Sequence, residues 1–289
     1  MNFSPLRYPG GKAKISPVME DIIITNRLRG SVFIEPFCGG AGVGLSMLFS
    51  GLIDRLVLND ADFGVASFWE TVLKDHGFLV DRVKEIQVTI DEWRKQKQIL
   101  KTSSDRREMA FATLFLNRCN RSGILNGGCI GGIRQQKYKI DARFNREIII
   151  SKIKKVNSLR DKIEIHNMDV FEFLNKINNF GKVLVYLDPP YWEQGKTLYR
   201  EYFVREQHEK LASAISDLNV PFVLSYDNVD SIKEMYDFAR IENIAISYSA
   251  ADKRRESEAF ILSNDLRFSE LPKENEKPRT EYLSLFSFL

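Results

Sequence analysis

Five short apolar runs, each stopping at a polar residue and each followed by a helix-forming stretch, constrain this chain more than any other feature. They are VFIEP from Val32, RLVLND from Arg55, KIEIHNMD from Lys162, KVLVYLD from Lys182 and PFVLSYD from Pro221. The runs are rich in β-branched residues and nearly continuous rather than alternating. That pattern marks strands buried on both faces of a parallel sheet. Further along, ARIENIAIS and EAFILSN flank a basic turn, AADKRRES, and read as a hairpin. Seven strands with interleaved helices predict an α/β fold with a doubly wound, mostly parallel seven-stranded sheet. Such sheets bind ligands beyond the carboxyl ends of their strands.

The alternation breaks between the second and third strands. From about Gly77 to Arg160 the sequence predicts long helices around an irregular loop, NRCNRSGILNGGCIGGIRQQKYKIDARFN. The expected organisation is therefore one sheet domain over residues 1–76 and 161–270, an insertion over 77–160, and a polar tail over 271–289 with an apolar end. The whole chain carries a formal net charge of only +3. Between Arg118 and Lys155, however, ten Lys and Arg face two acids, Asp141 and Glu147. Such a stretch is either a solvated face or a polyanion-binding surface. Asn, Gln and Tyr interleaved with the cations favour the second.

No apolar run approaches membrane-spanning length, and the N-terminal residues show no signal-peptide core, so a cytoplasmic protein is expected. Cys38, Cys119 and Cys129 have neither metal-ligand spacing nor a disulfide framework, and no metal is expected.

Chemistry concentrates where the strands end. FIEPFCGGAGVG places Gly39, Gly40 and Gly42 at the first strand-to-helix turn, where a ligand can approach the backbone closely. The spacing misses the dinucleotide fingerprint, and plain strand-to-helix packing is the competing reading. Glu35 before the turn points to a polar ligand with an ammonium or hydroxyl group. Asp60 ends the second strand and Asp169 the third. Each is a candidate for ribose hydroxyls or, equally, a helix N-cap. Phe171 offers a ring for a base. Three strand-end acids converging on one rim suit a positively charged, adenosine-bearing cofactor without phosphates, for which S-adenosylmethionine is the best match. RYPGGK near the N-terminus lacks the phosphate-loop spacing. Its Tyr8, Gly11 and Lys12 are candidates to clamp the cofactor, or form an ordinary turn.

The fourth strand ends in DPPYW. Pro189 and Pro190 fix φ and carry no N–H, so the Pro189 carbonyl stands rigid with no local donor competing for it. An exocyclic base amine is a poor nucleophile because its lone pair is delocalised into the ring. Two acceptors, the Asp188 carboxylate and the Pro189 carbonyl, can hold its two hydrogens and draw the nitrogen toward tetrahedral geometry. Tyr191 offers a ring to stack on the base. His76, His166 and His208 form no catalytic arrangement.

Taken together, RYPGGK, EPFCGGAG, the ND at Asn59–Asp60, LNRCNRSGIL, DPPY and ESEAFILSN resemble the DNA adenine-N6 methyltransferases, in the order of the alpha group. The resemblance covers most of the chain. It implies the methyltransferase fold, S-adenosylmethionine as cofactor and double-stranded DNA as partner; neither membrane nor metal is expected, the oligomeric state is open and a monomer is assumed. By position it implies cofactor contacts at Tyr8, Lys12, Asp60 and Asp188, with Glu35 and Phe37 nearby. Asp188, Pro189, Pro190 and Tyr191 become the amine-activating set. The target adenine must be flipped out of the duplex. Asn120, Arg121, Arg134, Lys137 and Arg143 in the insertion are the expected DNA contacts, with Arg254 and Arg255 gripping the backbone from the hairpin. A place in restriction–modification or host–phage DNA modification is implied as well. Two other readings stand beside it. One is a cytosine-N4 DNA or adenine-N6 RNA methyltransferase using the same amine chemistry. The other is a DNA-binding protein with a degenerate cofactor pocket, against which the intact DPPY speaks.

Overall fold

The structure, a computed structural model, describes residues 3–7, 15–177, 181–192, 203–247 and 255–267. Tyr8, Gly11, Lys12, Arg254 and the 271–289 tail lie outside them. Five parallel strands are present: β1 (Ser31–Glu35), β2 (Ile53–Asn59), β3 (Ile163–His166), β4 (Val183–Leu187) and β5 (Phe222–Asp227). The hairpin forms as expected from β6 (Arg240–Ser247) and β7 (Arg255–Leu262), with Arg240 opposite Leu262 and Ser247 opposite Arg255. The sheet order is β3-β2-β1-β4-β5-β7-β6. β7 slots in antiparallel to β5 and β6, so β7 alone of the seven runs in reverse.

Alternate residues of each parallel strand feed two separate cores, which is why the apolar runs are continuous. Phe33, Leu56, Leu58, Leu184 and Tyr186 face one core. Ile34, Val57, Val183, Val185 and Leu187 face the other. The first is covered by α1 (Ser16–Thr25), α2 (Gly42–Phe49) and α3 (Phe63–Lys74). The second is covered by α8 (Val170–Ile177), α9 (Arg205–Ser216) and α10 (Asp230–Met235).

The segment between α3 and β3 contains α4 (His76–Glu85), α5 (Ile90–Thr102), α6 (Arg106–Cys119) and α7 (Arg146–Asn157). Helix α6 runs three residues into the stretch expected to be loop, because Asn117, Arg118 and Cys119 are buried on it. These helices do not form a separate core. Phe111, Phe115, Ile149 and Ile153 join the same hydrophobic cluster as Phe33 and Trp69. Among the described residues, no helix is long and apolar enough to cross a membrane.

Candidate active site

Read across the sheet, the order β3-β2-β1-β4-β5 lines up Asp169, Asp60, Glu35, Asp188 and Asp227 at or just past the carboxyl ends of five adjacent parallel strands. Their local engagements differ. Glu35 is buried, and its Oε1 accepts the Gly44 N–H at 2.6 Å. Burial and the nearby Asp188 push its carboxyl up to about 8, against the pull of that hydrogen bond. It braces the first turn of α2 instead of standing at the surface. A Cβ at Gly44 would collide with Leu56 Cδ1 and Glu35 Oε1, so glycine there lets the helix seat on the sheet.

Asp60 ties two strand ends together. Its Oδ2 accepts the Gly39 N–H at 2.9 Å and its Oδ1 accepts the Asp62 N–H at 2.9 Å. Gly39 sits at φ +43° and gives its carbonyl to Trp69 Nε1 at 2.8 Å. Burial, then the adjacent Asp62, pushes the Asp60 carboxyl up to about 7. The N-cap of α3 is Asp62, whose side chain accepts from Gly64 and Val65. Asp60 is thus not the cap that the sequence allowed for. Asp169 is exposed and does act as a cap: its Oδ1 accepts the N–H of Phe171 at 2.9 Å and of Glu172 at 3.4 Å.

The DPPYW turn rests on the end of β5. Asp188 Oδ1 accepts from Ser225 Oγ at 2.9 Å. The Tyr191 ring lies 6.2 Å from the Tyr226 ring. The Trp192 N–H donates to Asp227 Oδ1 at 3.0 Å. Behind them His208 is buried, with Nδ1 at 2.5 Å from Tyr226 OH and its ring 5.0 Å from Trp192. Burial lowers its pKa, so it serves as a neutral packing partner. Beside the turn, half-buried Phe37, Phe203 and Phe171 form an aromatic wall with centroids 5.8 Å and 6.2 Å apart.

The basic insertion divides into anchors and surface. Arg118 donates to the Pro5 carbonyl, Lys152 to the Ser4 carbonyl at 3.0 Å, and Arg146 to the carbonyls of Val83 and Ile86. These three cations hold the fold together and do not add to an open field. Asn120 does not reach the surface either. It is fully buried, accepting from Trp93 Nε1 at 2.7 Å and donating to the carbonyls of Ile124 and Leu125. Its place is structural, and this corrects the expectation of a DNA contact. Arg121, Arg134, Lys137 and Arg143 are all exposed, interleaved with exposed Ile133 and Tyr138. The Gln135 side chain braces the loop between them, donating to Ile130 and Gly132 and accepting from the Ile140 N–H. Arg255 lies on β7.

Residues 8–249 match the model of the D12 class N6 adenine-specific DNA methyltransferases. The chain belongs to this family. No curated protein sequence matches it. Among solved structures it is similar to a proposed methylase of Haemophilus influenzae, at 12% identity and TM-score 0.39, over 87% of this chain and 97% of that one. It is also similar to a methyltransferase of Pyrococcus furiosus, at 13% identity and TM-score 0.33, over 85% and 82%.

A D12 class enzyme draws its methyl group from S-adenosylmethionine. The donor set on the rim fits that molecule. Glu35 and Asp60 are pushed up by burial and by neighbouring carboxylates, a field that a sulfonium and an ammonium relieve and that phosphates worsen. The aromatic wall gives a purine a face to lie on.

Several residues shape the site in ways that the sequence does not disclose. Gly44 reads as one more helix residue. Asn59 is fully buried and joins three strand ends, donating to the carbonyls of Pro36 and Met168 and accepting the Met168 N–H. Ser225 and Asp227 lie within a run that reads as strand. The acid ending that run, like those at Glu35 and Asp60, was the available clue.

Proposed function

We propose that this protein transfers a methyl group from S-adenosylmethionine to N6 of an adenine flipped out of double-stranded DNA. The observation that carries the reading is the Asp188–Trp192 turn, set at the sheet's carboxyl edge between the acid rim and the aromatic wall, in a chain of this family. The cofactor supplies an electrophilic methyl on a sulfonium. Asp60 and Asp169 lie on the acid rim, with Glu35 buried behind it. Phe37, Phe171 and the glycine turn at Gly39 flank the adenosine, with Tyr8, Gly11 and Lys12 assigned to the same ligand by the family motif. The Asp188 carboxylate and the Pro189 carbonyl accept hydrogen bonds from the two amine hydrogens, which localises the nitrogen lone pair. Pro190 keeps the carbonyl rigid, and Tyr191 stacks on the base.

The insertion over residues 77–160 serves as the target-recognition region, and its exposed Arg121, Arg134, Lys137 and Arg143 meet phosphates and base edges. The hairpin residues Arg254 and Arg255 are assigned to the backbone on the other side. Arg121→Ala or Lys137→Ala is expected to weaken DNA binding and lower the slope of log affinity against log salt by about 1. Slopes equal to wild type would move the DNA surface elsewhere. The reading as a whole is tested by incubating duplex DNA and, separately, RNA with enzyme and labelled cofactor, then digesting to nucleosides. N6-methyldeoxyadenosine is the expected product. N4-methyldeoxycytidine, or label in RNA alone, would overturn it. Methylation-sensitive sequencing of DNA from expressing cells then gives the recognised site and shows whether the mark is of the kind that guards against a cognate endonuclease.

A further inference from the structure

Asp188 is held by a hydroxyl chain that the reaction chemistry itself does not require. Ser225 is fully buried on β5, and its Oγ donates to Asp188 Oδ1 at 2.9 Å. The buried Tyr186, on the neighbouring strand β4, places its OH 3.1 Å from the same Oγ. Ser225 has a single hydroxyl hydrogen, and it is committed to Asp188. Ser225 must therefore accept from Tyr186, which fixes the direction of the chain from Tyr186 to Ser225 to Asp188.

The two residues after Ser225 hold the rest of the turn. Tyr226 backs the Tyr191 ring, and Asp227 takes the Trp192 N–H. Three consecutive residues of one strand thus engage the first, fourth and fifth residues of the DPPYW turn. Between these holds, the prolines restrict φ and provide no N–H. Of these three holds, the Ser225 link is the one made to the group assigned to the amine. Its geometry bears on where the second Asp188 oxygen points, and a misplacement on the ångström scale is enough to cost rate.

We propose that Ser225, oriented by Tyr186, is a positioning residue for methyl transfer, fixing the Asp188 carboxylate in the orientation that accepts the amine. The inference rests on the reading of Asp188 given above. Ser225→Ala is expected to lower kcat about 10- to 100-fold, the range for losing one hydrogen bond to a charged group, with KM for cofactor and DNA within about twofold of wild type. Tyr186→Phe removes the outer link and is expected to lower kcat about two- to fivefold. In the double variant, Tyr186→Phe is expected to add nothing to Ser225→Ala, because the chain it supports is already broken.

Wild-type kcat in Ser225→Ala overturns the proposal. So do effects of the two substitutions that multiply, or a rise in both KM values tracking a fall in thermal stability, since each would mean packing alone. Should Ser225→Ala fail to fold, Tyr186→Phe decides by itself: an unchanged kcat overturns the proposal. Asp188→Ala run in parallel separates the two levels. If that variant stays active, the parent reading fails. If it is inactive while Ser225→Ala is not, only the positioning role fails.

Discussion

Glu35 and Asp188 end neighbouring parallel strands and follow equally apolar runs, yet the fold puts them to opposite uses. Glu35 is buried and its carboxylate is bound by Gly44 in the first turn of its own following helix. Asp188 is half-buried and is bound instead by Ser225, a side chain 37 residues away. The sequence after each acid explains the split. Behind Glu35, PFCGGAG bends the chain back, and a residue without a Cβ seats the helix on the carboxylate. Behind Asp188 stand two prolines. Asp60 and Asp169 each accept the N–H two residues on, from Asp62 and Phe171. At Pro190 that N–H does not exist. Asp60 and Asp169 are thus engaged by the backbone just after them, and at Asp188 the DPPY prolines withhold that donor.

The largest effect expected from this contrast is at Asp188. Asp188→Ala should lower methyl transfer at least about a thousandfold while DNA binding, read by mobility shift, stays near wild type. An equal loss in Glu35→Gln would erase the distinction between the two carboxylates, because that variant keeps an oxygen to accept from Gly44.

Glu35 should show itself in stability instead. In the ligand-free protein its carboxyl stays protonated up to about pH 8, whereas in the unfolded chain it ionises in the ordinary carboxylate range. Over that interval the folded state binds more protons, so stability falls as pH rises, at up to about 1.4 kcal/mol per pH unit for one such group. Asp60, pushed up to about 7, acts with the same sign and remains in both proteins. Thermal melts from pH 5 to 8.5 should therefore decline more steeply in wild type than in Glu35→Gln. Parallel curves would mean that Glu35 ionises as an ordinary acid.

The same contrast shows what a sequence can disclose. The strands were legible because both faces of the sheet are buried, which leaves runs such as VLVYL uninterrupted by polar residues. The hairpin was legible because its two runs are joined by a short polar turn. The acids and prolines of the rim were legible because they break those runs. The strand order was not, since it depends on where crossovers land. Nor were the roles of Asn59 and Ser225. A polar residue inside an apolar strand reads as noise until its partners arrive, and Met168 lies 109 residues from Asn59. Asn120 misled for the converse reason. Its neighbours along the chain are basic, but its side chain points inward to Trp93. Charge density along a sequence says nothing about which residues are spent on carbonyls inside.

The missing N–H of Pro190 should show itself in a smaller and sharper effect. Pro190→Ala restores an N–H two residues beyond Asp188, at the place from which Asp60 and Asp169 are capped. We expect kcat to fall about tenfold, with thermal stability within about 1 kcal/mol of wild type. Rates equal to wild type would show that the missing donor at Pro190 does not matter to the role of Asp188.

Asp169 supplies the smallest effect and the clearest check on reading strand-end acids as ligand contacts. Its Oδ1 already takes two N–H groups of α8, so its removal should cost about 1 kcal/mol of stability, as for an ordinary N-cap, with Asn recovering most of it. A carboxylate spent in this way still lends negative potential to the rim, but through space and under solvent screening, since the residue is exposed. The cofactor KM of Asp169→Ala should accordingly rise only two- to threefold, and less as salt is added. A rise of tenfold or more, with Asn unable to restore it and thermal stability unmoved, would place Asp169 in direct contact with the ligand. The useful division among the acids would then run between cap and contact within a single carboxylate, one oxygen for the helix and one for the ribose, and not between one strand end and the next.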